Sequence, residues 1–233
     1  MPKLKKIASK QFTFPIGKKK ILFANNTEQK TYIKNRVDRI LSKEPETIEW
    51  INSFEKDSIF FDIGANIGIY TLYSAIKIEN TVYSFEPHSV NYKNLLDSIN
   101  LNKLEKCYAF CFAISNQINL STIQVKDMHE GVADNVVGQL GEYYHGCVEM
   151  HLDFLVGRKI LPQPNYIKID VDGFENKVIN GSLATIQKCK SVLAEIDNKH
   201  LTLVDKITGL GFRLKSKHRR NAEEFNYIFE NAN

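Results

Sequence analysis

"FFDIGANIGIY", residues 60–70, decides how the chain is read. An apolar run meets an acid, Asp62, then passes through Gly64, Asn66 and Gly68 before apolar residues return at Ile69. An apolar strand, a small-residue turn and a helix start make the ligand-binding corner of a parallel sheet, at the carboxyl end of a strand. Outward from this corner the pattern alternates. Strand "IFFDIG" leads into a helix over roughly 68–78, then come strand "TVYSFEP", helix "NYKNLLDSINL" and strand "KCYAFCFAIS". "NLSTIQV" and "CVEMHLDFLV" read as an antiparallel insertion. Strand "NYIKIDVDG", helix "FENKVINGSLATIQKC" and strand "SVLAEID" resume the alternation. A helix around 198–209 precedes "GFRLKS" and "FNYIFE", a closing hairpin expected to add one antiparallel strand. The pattern predicts an α/β fold with a mainly parallel sheet covered on both faces and a C-terminal antiparallel hairpin.

Ahead of this, "QFTFPIGKKKILFAN" (11–25) reads as a hairpin around Gly17. Residues 31–55 read as two short helices meeting at Glu44-Pro45, because proline disfavours helix in the residue before it. The expected organisation is an N-terminal part, 1–56, and a main domain, 57–233, in one compact unit. Residues 126–147 fit no sheet element and read as a flap facing the substrate.

Composition is that of an ordinary soluble globular chain, at 43% hydrophobic and 25% charged over 233 residues. No stretch reaches the roughly 18–20 apolar residues needed to span a bilayer, and the N-terminus lacks the apolar core of a secretory signal. Cys107, Cys111, Cys147 and Cys189 form no C-x-x-C pair and read as free thiols in a reducing cytoplasm. The net charge of +4 is unevenly spread: residues 1–27 hold seven lysines and no acid, and "KSKHRR" (215–220) is a second cluster. Both read as solvated basic faces rather than nucleic-acid sites.

Three ligands compete for "DIGANIG". A nicotinamide site wants G-x-G-x-x-G, but here there are two glycines with the acid before them. A P-loop wants Lys then Ser or Thr after its glycines, but Gly68 is followed by Ile69-Tyr70. The third is S-adenosylmethionine (SAM), which has no phosphate to cradle and carries a cationic amino-acid end and a ribose diol. Asp62 could face the ammonium side. Glu86, 22 residues after Gly64 in "VYSFEP", is spaced to end the neighbouring strand and accept both ribose hydroxyls. Asn66 replaces a middle glycine and tolerates positive φ better than most residues.

"FFDIGANIGIYTLYSA", "VYSFEPHSVNYKNLL", "AFCFAIS", "HLDFL" and "YIKIDVDGFENKVINGSLATI" resemble, in order, the motifs of FkbM-type SAM-dependent methyltransferases, over roughly residues 57–197. Similar proteins usually carry Glu where this chain has Asp172. The resemblance implies a class I SAM-dependent methyltransferase (Rossmann-like) fold. It also implies a cofactor site at Asp62, Gly64 and Glu86, with Asn66, Gly68, Pro87 and Ala113 as its further expected contacts. The implied activity is O-methylation of a hydroxyl, often on a sugar of a glycan, a lipid-linked saccharide or a natural product.

Methyl transfer to a hydroxyl needs the acceptor oxygen held near the methyl and a group to take its proton. The acids at the later strand tips are Asp170, Asp172, Glu175 and Glu195; Asp170 and His151 are the expected catalytic residues, with Glu175 readable as a first-turn helix acid and His145 as a surface group. No metal is expected at the acids of D-x-D. Two other classes stay open: an RNA methyltransferase, which the basic ends would suit although an amino-methylating motif is absent, and a non-catalytic SAM-binding protein.

Overall fold

The computed structural model describes residues 10–25, 31–125, 136–138 and 143–232. The chain opens with β1 (Lys10–Ile16) and β2 (Lys19–Asn25), then α1 (Thr31–Asp38), α2 (Ile40–Lys43) and α3 (Pro45–Asn52). The alternating section runs β3 (Ile59–Ile63), α4 (Ile69–Lys77), β4 (Thr81–Phe85), α5 (Ser89–Leu101) and β5 (Cys107–Phe110). An insertion follows, with β6 (Ala113–Ile114), β7 (Asn119–Val125), β8 (Val136–Val137), β9 (Tyr143–Met150) and α6 (Leu152–Gly157). Then come β10 (Tyr166–Ile169), α7 (Glu175–Asn180), α8 (Leu183–Ile186), β11 (Ser191–Asp197), α9 (Thr202–Thr208), β12 (Phe212–Arg219) and β13 (Glu224–Asn231).

The main sheet has the order β12-β13-β11-β10-β3-β4-β5. Strands β11, β10, β3, β4 and β5 are parallel, while β13 and β12 pair antiparallel. The closing hairpin therefore supplies one strand that opposes the rest, β13, because β12 runs against β13 and so in the direction of β11. The chain winds outward from β3 through β4 to β5, then returns to the other side of β3 for β10 and β11. The strand order reverses between β3 and β10, and crevices at carboxyl ends of strands open at such points.

Strand residues alternate between two buried layers because successive side chains leave opposite faces. Phe60, Tyr166 and Leu193 pack with α1 to α5, while Phe61, Ile167 and Val192 pack with α6 to α9. Burying one such side chain contributes roughly 1.5–3 kcal/mol, so continuous apolar runs on the inner strands are what a doubly covered sheet requires.

The hairpin β1–β2 is tied to α5 by a polar ladder. Asn94, Ser98 and Asn102 recur every four residues and so share one helix face. Asn94 Nδ2 donates to Ala24 O (2.9 Å), Ser98 Oγ accepts from Ala24 N–H (2.9 Å), and Asn102 bonds both backbone groups of Leu22. These side chains satisfy the free edge of β2 as a neighbouring strand would. On the sheet's other flank, Trp50 Nε1 donates to Ser191 Oγ at 2.8 Å and Phe54 stacks on Tyr166 at 3.9 Å, which fixes α3 across β10 and β11.

The stretch read as a flap is partly sheet. Residues 143–147 belong to β9, which pairs antiparallel with β7 and sits inside a four-stranded sheet of order β6-β9-β7-β8. Residues 126–135 and 139–142 lie outside the described residues. The pattern was obscured because Tyr143 and Tyr144 are both exposed, and alternation begins only where Gly146 and Val148 face out while Cys147 and Glu149 are buried. The single helix expected over 174–189 is two, broken at Gly181, where an added Cβ would lie 1.9 Å from Ser115 O.

Candidate active site

The turn after β3 is built to bring backbone against backbone. Gly64 and Ala65 N–H donate to Phe85 O at 3.0 and 3.1 Å, locking the turn to β4. Gly64 has φ +82°, and a Cβ there would stand 1.8 Å from Asp170 O, so only glycine fits between β3 and the tip of β10. Asn66 takes the positive φ expected of it, at 50°. Its N–H donates to Glu86 Oε2 at 2.7 Å, and His88 N–H donates to Glu86 Oε1 at 2.9 Å. Glu86 is 5% exposed. Burial pushes its carboxyl up to about 7 against the pull of those two N–H groups.

One cavity joins the strand tips. On the β4 side it is lined by Gly64, Asn66, Glu86, Pro87 and Ala113, with Phe85, Phe112, Ile114 and Val137 giving an apolar wall. On the β10 and β11 side it is lined by Asp170, Asp172, Phe174, Glu195 and Arg220. The insertion sheet contributes Ile123 and Val137, so the segment expected to cover the site does wall it, as strand rather than loop.

Three expected site residues are not in this lining. Asp62 does not face the cavity: its side chain turns under α4, where Thr71 Oγ1 donates to Oδ2 at 2.6 Å and Thr71 meets Ser84 Oγ at 2.7 Å. Strand alternation puts it on the α4 face, level with Lys168 of β10. Its Oδ1 is buried without a partner, and burial pushes its carboxyl up against the opposing pull of Lys168. Gly68 lies at the start of α4 with φ +84°, and a Cβ there would meet Leu95 Cδ1 at 2.4 Å, so it serves helix packing. His151 is the N-cap of α6: its Nδ1 accepts from Phe154 N–H at 3.0 Å, which satisfies an orphan helix donor. The ring thus caps the helix, and His151, expected as a base, lies outside the cavity lining. His145 also stays outside, with Nε2 accepting from Ser89 N–H at 3.3 Å. Glu175 closes its own loop, accepting from Gly173 N–H at 3.0 Å.

Asp170 does line the cavity, but as half of an ion pair. Lys168 Nζ, on a side chain 1% exposed, donates to Asp170 Oδ2 at 2.5 Å. Burial alone would raise Asp170; the Lys168 ammonium outweighs it and holds the carboxyl down at about 2. Beside it Glu195 Oε2 accepts from Arg220 Nε at 2.7 Å, and Arg220 NH1 reaches Glu44 Oε1 at 2.9 Å. Burial first and the Asp170 charge second push Glu195 up to about 8. The Arg220 guanidinium is held charged by Glu44 and Glu195 despite its own burial.

Arg220 and Glu44 carry no motif, and sequence reasoning missed both. Arg220 was counted in a solvated basic run; its side chain is only 13% exposed. Two lysines of that run are also engaged, Lys215 with Glu230 and Lys217 over the Phe225 ring at 3.9 Å. The one available hint was Glu44 immediately before Pro45, a position where the chain must turn.

A model of the methyltransferase FkbM domain matches residues 62–214. Hexuronic acid methyltransferase AglP of Haloferax volcanii is 23% identical over 143 residues, which cover 61% of this chain and 57% of that protein. Among solved structures, Trm5b from Pyrococcus abyssi superposes with TM-score 0.54 at 11% identity, over 94% of this chain and 62% of that one. A SAM-dependent methyltransferase from Aquifex aeolicus gives TM-score 0.51 at 10% identity, over 88% and 99%. At those identities the two structures speak for the fold alone. The fold is that of class I SAM-dependent methyltransferases, and the chain belongs to the FkbM methyltransferase family.

Proposed function

We propose that the protein is a SAM-dependent O-methyltransferase acting on a hydroxyl of a saccharide. The observation that carries the cofactor half is Glu86, a buried carboxylate whose two oxygens are aimed by backbone N–H groups at the tip of β4. The cavity's charge suits the same ligand: Glu86, Asp170, Asp172, Glu195 and Glu224 line it against Arg36, Lys43 and Arg220. An excess of carboxylates favours a cation over a diphosphate. Glu86 would hold the ribose diol, the apolar wall of Phe112, Ala113 and Ile114 would take the adenine, and the backbone at Gly64 would lie along the amino-acid end. The bound group supplies a methyl on a positively charged sulfur.

The chain's own residues then have two tasks. Asp170, ionised at all working pH by its pairing with Lys168, orients the acceptor hydroxyl and adds negative field to a site that handles a cation. The strand-tip walls hold the two reactants together, a large source of rate in a displacement. The saccharide acceptor is supported by the hexuronic acid specificity in the name of the Haloferax relative. Engagement of Lys215, Lys217 and Arg220 within the fold supports a small acceptor over a nucleic acid. The four free cysteines fit a reducing cytoplasm, and among the described residues no helix is long and apolar enough to cross a membrane.

The test is incubation with methyl-labelled SAM and a panel of hexoses, hexuronic acids and their oligosaccharides, read by mass spectrometry. A single labelled methyl on a sugar oxygen is the expected product. Label appearing only on RNA added to the same mixture would overturn the acceptor class.

A further inference from the structure

Five carboxylates line the cavity, and the geometry separates them. Glu86 has both oxygens taken by backbone donors. Asp170 is ion-paired with buried Lys168 and stays ionised. Asp172 is exposed to solvent, and Glu224 accepts from the Asn221 side chain within the β12–β13 turn. Glu195 differs from all four. It is 7% exposed, and one oxygen, Oε2, is fixed by Arg220. Among the described residues the other, Oε1, takes no hydrogen bond, and yet it is not among the buried polar atoms sealed from solvent.

We propose that Glu195 accepts the proton of the acceptor hydroxyl and that Arg220 is the residue that positions it. The inference rests on the methyltransferase reading above. As the acceptor oxygen gains the methyl carbon, the pair of the broken carbon–sulfur bond stays on sulfur. The hydroxyl proton passes to Glu195 Oε1, and from there to water after turnover. No oxidant or further reactant is needed.

The surroundings of Glu195 make it a better acceptor than its neighbours. Asp170 and Lys168 face it from β10, Arg220 from the end of β12, and the neutral Asn226 pairs with it across β13. Glu44 and Lys43, from the α2–α3 junction, reach the same group of charges through Arg220 and Asp170, and Tyr70 of α4 bonds Glu44. Asp62, Asp170, Glu195 and Glu44 thus share Lys168, Arg220 and Lys43, four acids among three cations, and such a group retains one proton more readily than separate carboxylates do. Glu195, pushed up to about 8, is where that proton rests. A base whose affinity for protons lies near the working pH is the one that transfers them best. Arriving positive charge would strip the proton and leave Glu195 ready to act.

That sequence gives a readout independent of turnover. SAM binding is measured by calorimetry at about pH 7.5 in phosphate and in Tris, whose different ionisation heats report the protons exchanged, and roughly half a proton should be released. Glu195→Gln should bind SAM within a few-fold and lose most of the release. Equal release in both proteins, with SAM bound, would overturn the inference and leave the methyltransferase reading standing. Should SAM fail to bind, that reading falls, and carboxyl ¹³C titration of the free wild-type protein decides the remainder. A Glu carboxyl titrating near 8, displaced by Arg220→Lys, supports the assignment. If Glu86, identified through Glu86→Gln, is the only Glu titrating above about 6, the assignment is wrong.

Discussion

On the β4 side of the cavity, Glu86 is oriented by N–H groups of Asn66 and His88, 20 and 2 residues away. On the β11 side, Glu195 is oriented by Arg220, and Arg220 is anchored in turn by Glu44, so the two ends of the chain must close before that carboxylate has a partner. The first arrangement is fixed by a turn whose glycines and asparagine set the backbone. The second is fixed only by tertiary packing, and its charges compete with one another. A backbone-built acceptor is rigid and suits a group that must be recognised the same way each time. A side-chain network can take up and lose a proton.

Removing Arg220 should have the largest effect. Arg220→Ala leaves Glu44, which is 1% exposed, and Glu195 without their shared cation. Breaking one partner out of a buried ion pair costs about 3–5 kcal/mol, and here the loss should appear as a Tm lower by roughly 6–20 °C. A loss of only a degree or two would mean that the β11 side is far looser than its distances imply. Gly64→Ala should come next, because the new methyl meets Asp170 O and the position has positive φ. At least about 2–3 kcal/mol is expected, and since Gly64 touches both sides, SAM affinity should fall with stability.

The pH response sharpens the same comparison. Glu86 and Glu195 are both raised in the folded protein, to about 7 and about 8, from the usual 4.5. A carboxyl raised by folding favours the native state while it is protonated, so this stability is fully present below about pH 4.5 and is lost as pH rises through 7 to 8. Thermal melts should therefore show Tm falling between about pH 5.5 and 8.5, by an amount that shrinks in Glu195→Gln. A flat profile over that range would contradict the buried environment assigned to both acids. His151→Ala should have the smallest effect, about 1 kcal/mol for a lost helix cap, with SAM affinity unchanged. A large loss of methyl transfer with intact stability would restore His151 to the chemistry.

The strand-helix alternation, the central place of β3 and the Glu86 corner were legible because their causes are local: apolar runs, glycines at positive φ and a spacing of one helix and one strand. Asp62 was assigned to the wrong face because the motif tells that an acid is present, and only strand parity relative to α4 tells which way it points. His151 was read as a candidate base, and nothing in "HLDFL" shows that its Nδ1 caps α6. Arg220 was read as part of a charged run because nothing in "KSKHRR" shows that its last residue folds inward to meet Glu44 and Glu195. Sequence reading thus named the acids at the strand tips, Asp170 and Glu195 among them, but not Arg220 and Glu44, which join them only through long-range charge pairing.

The central claim is that the corner of β3 and β4 binds SAM through Glu86. Calorimetric titration of the wild-type protein and of Glu86→Gln with SAM, S-adenosylhomocysteine and NAD tests it directly. The account predicts saturable binding of both adenosyl ligands, no response to NAD, and affinity about tenfold or more weaker in the variant, since a charged acceptor of hydrogen bonds is worth about 1.5–3 kcal/mol. Binding of NAD, or SAM binding that Glu86→Gln leaves untouched, would contradict it.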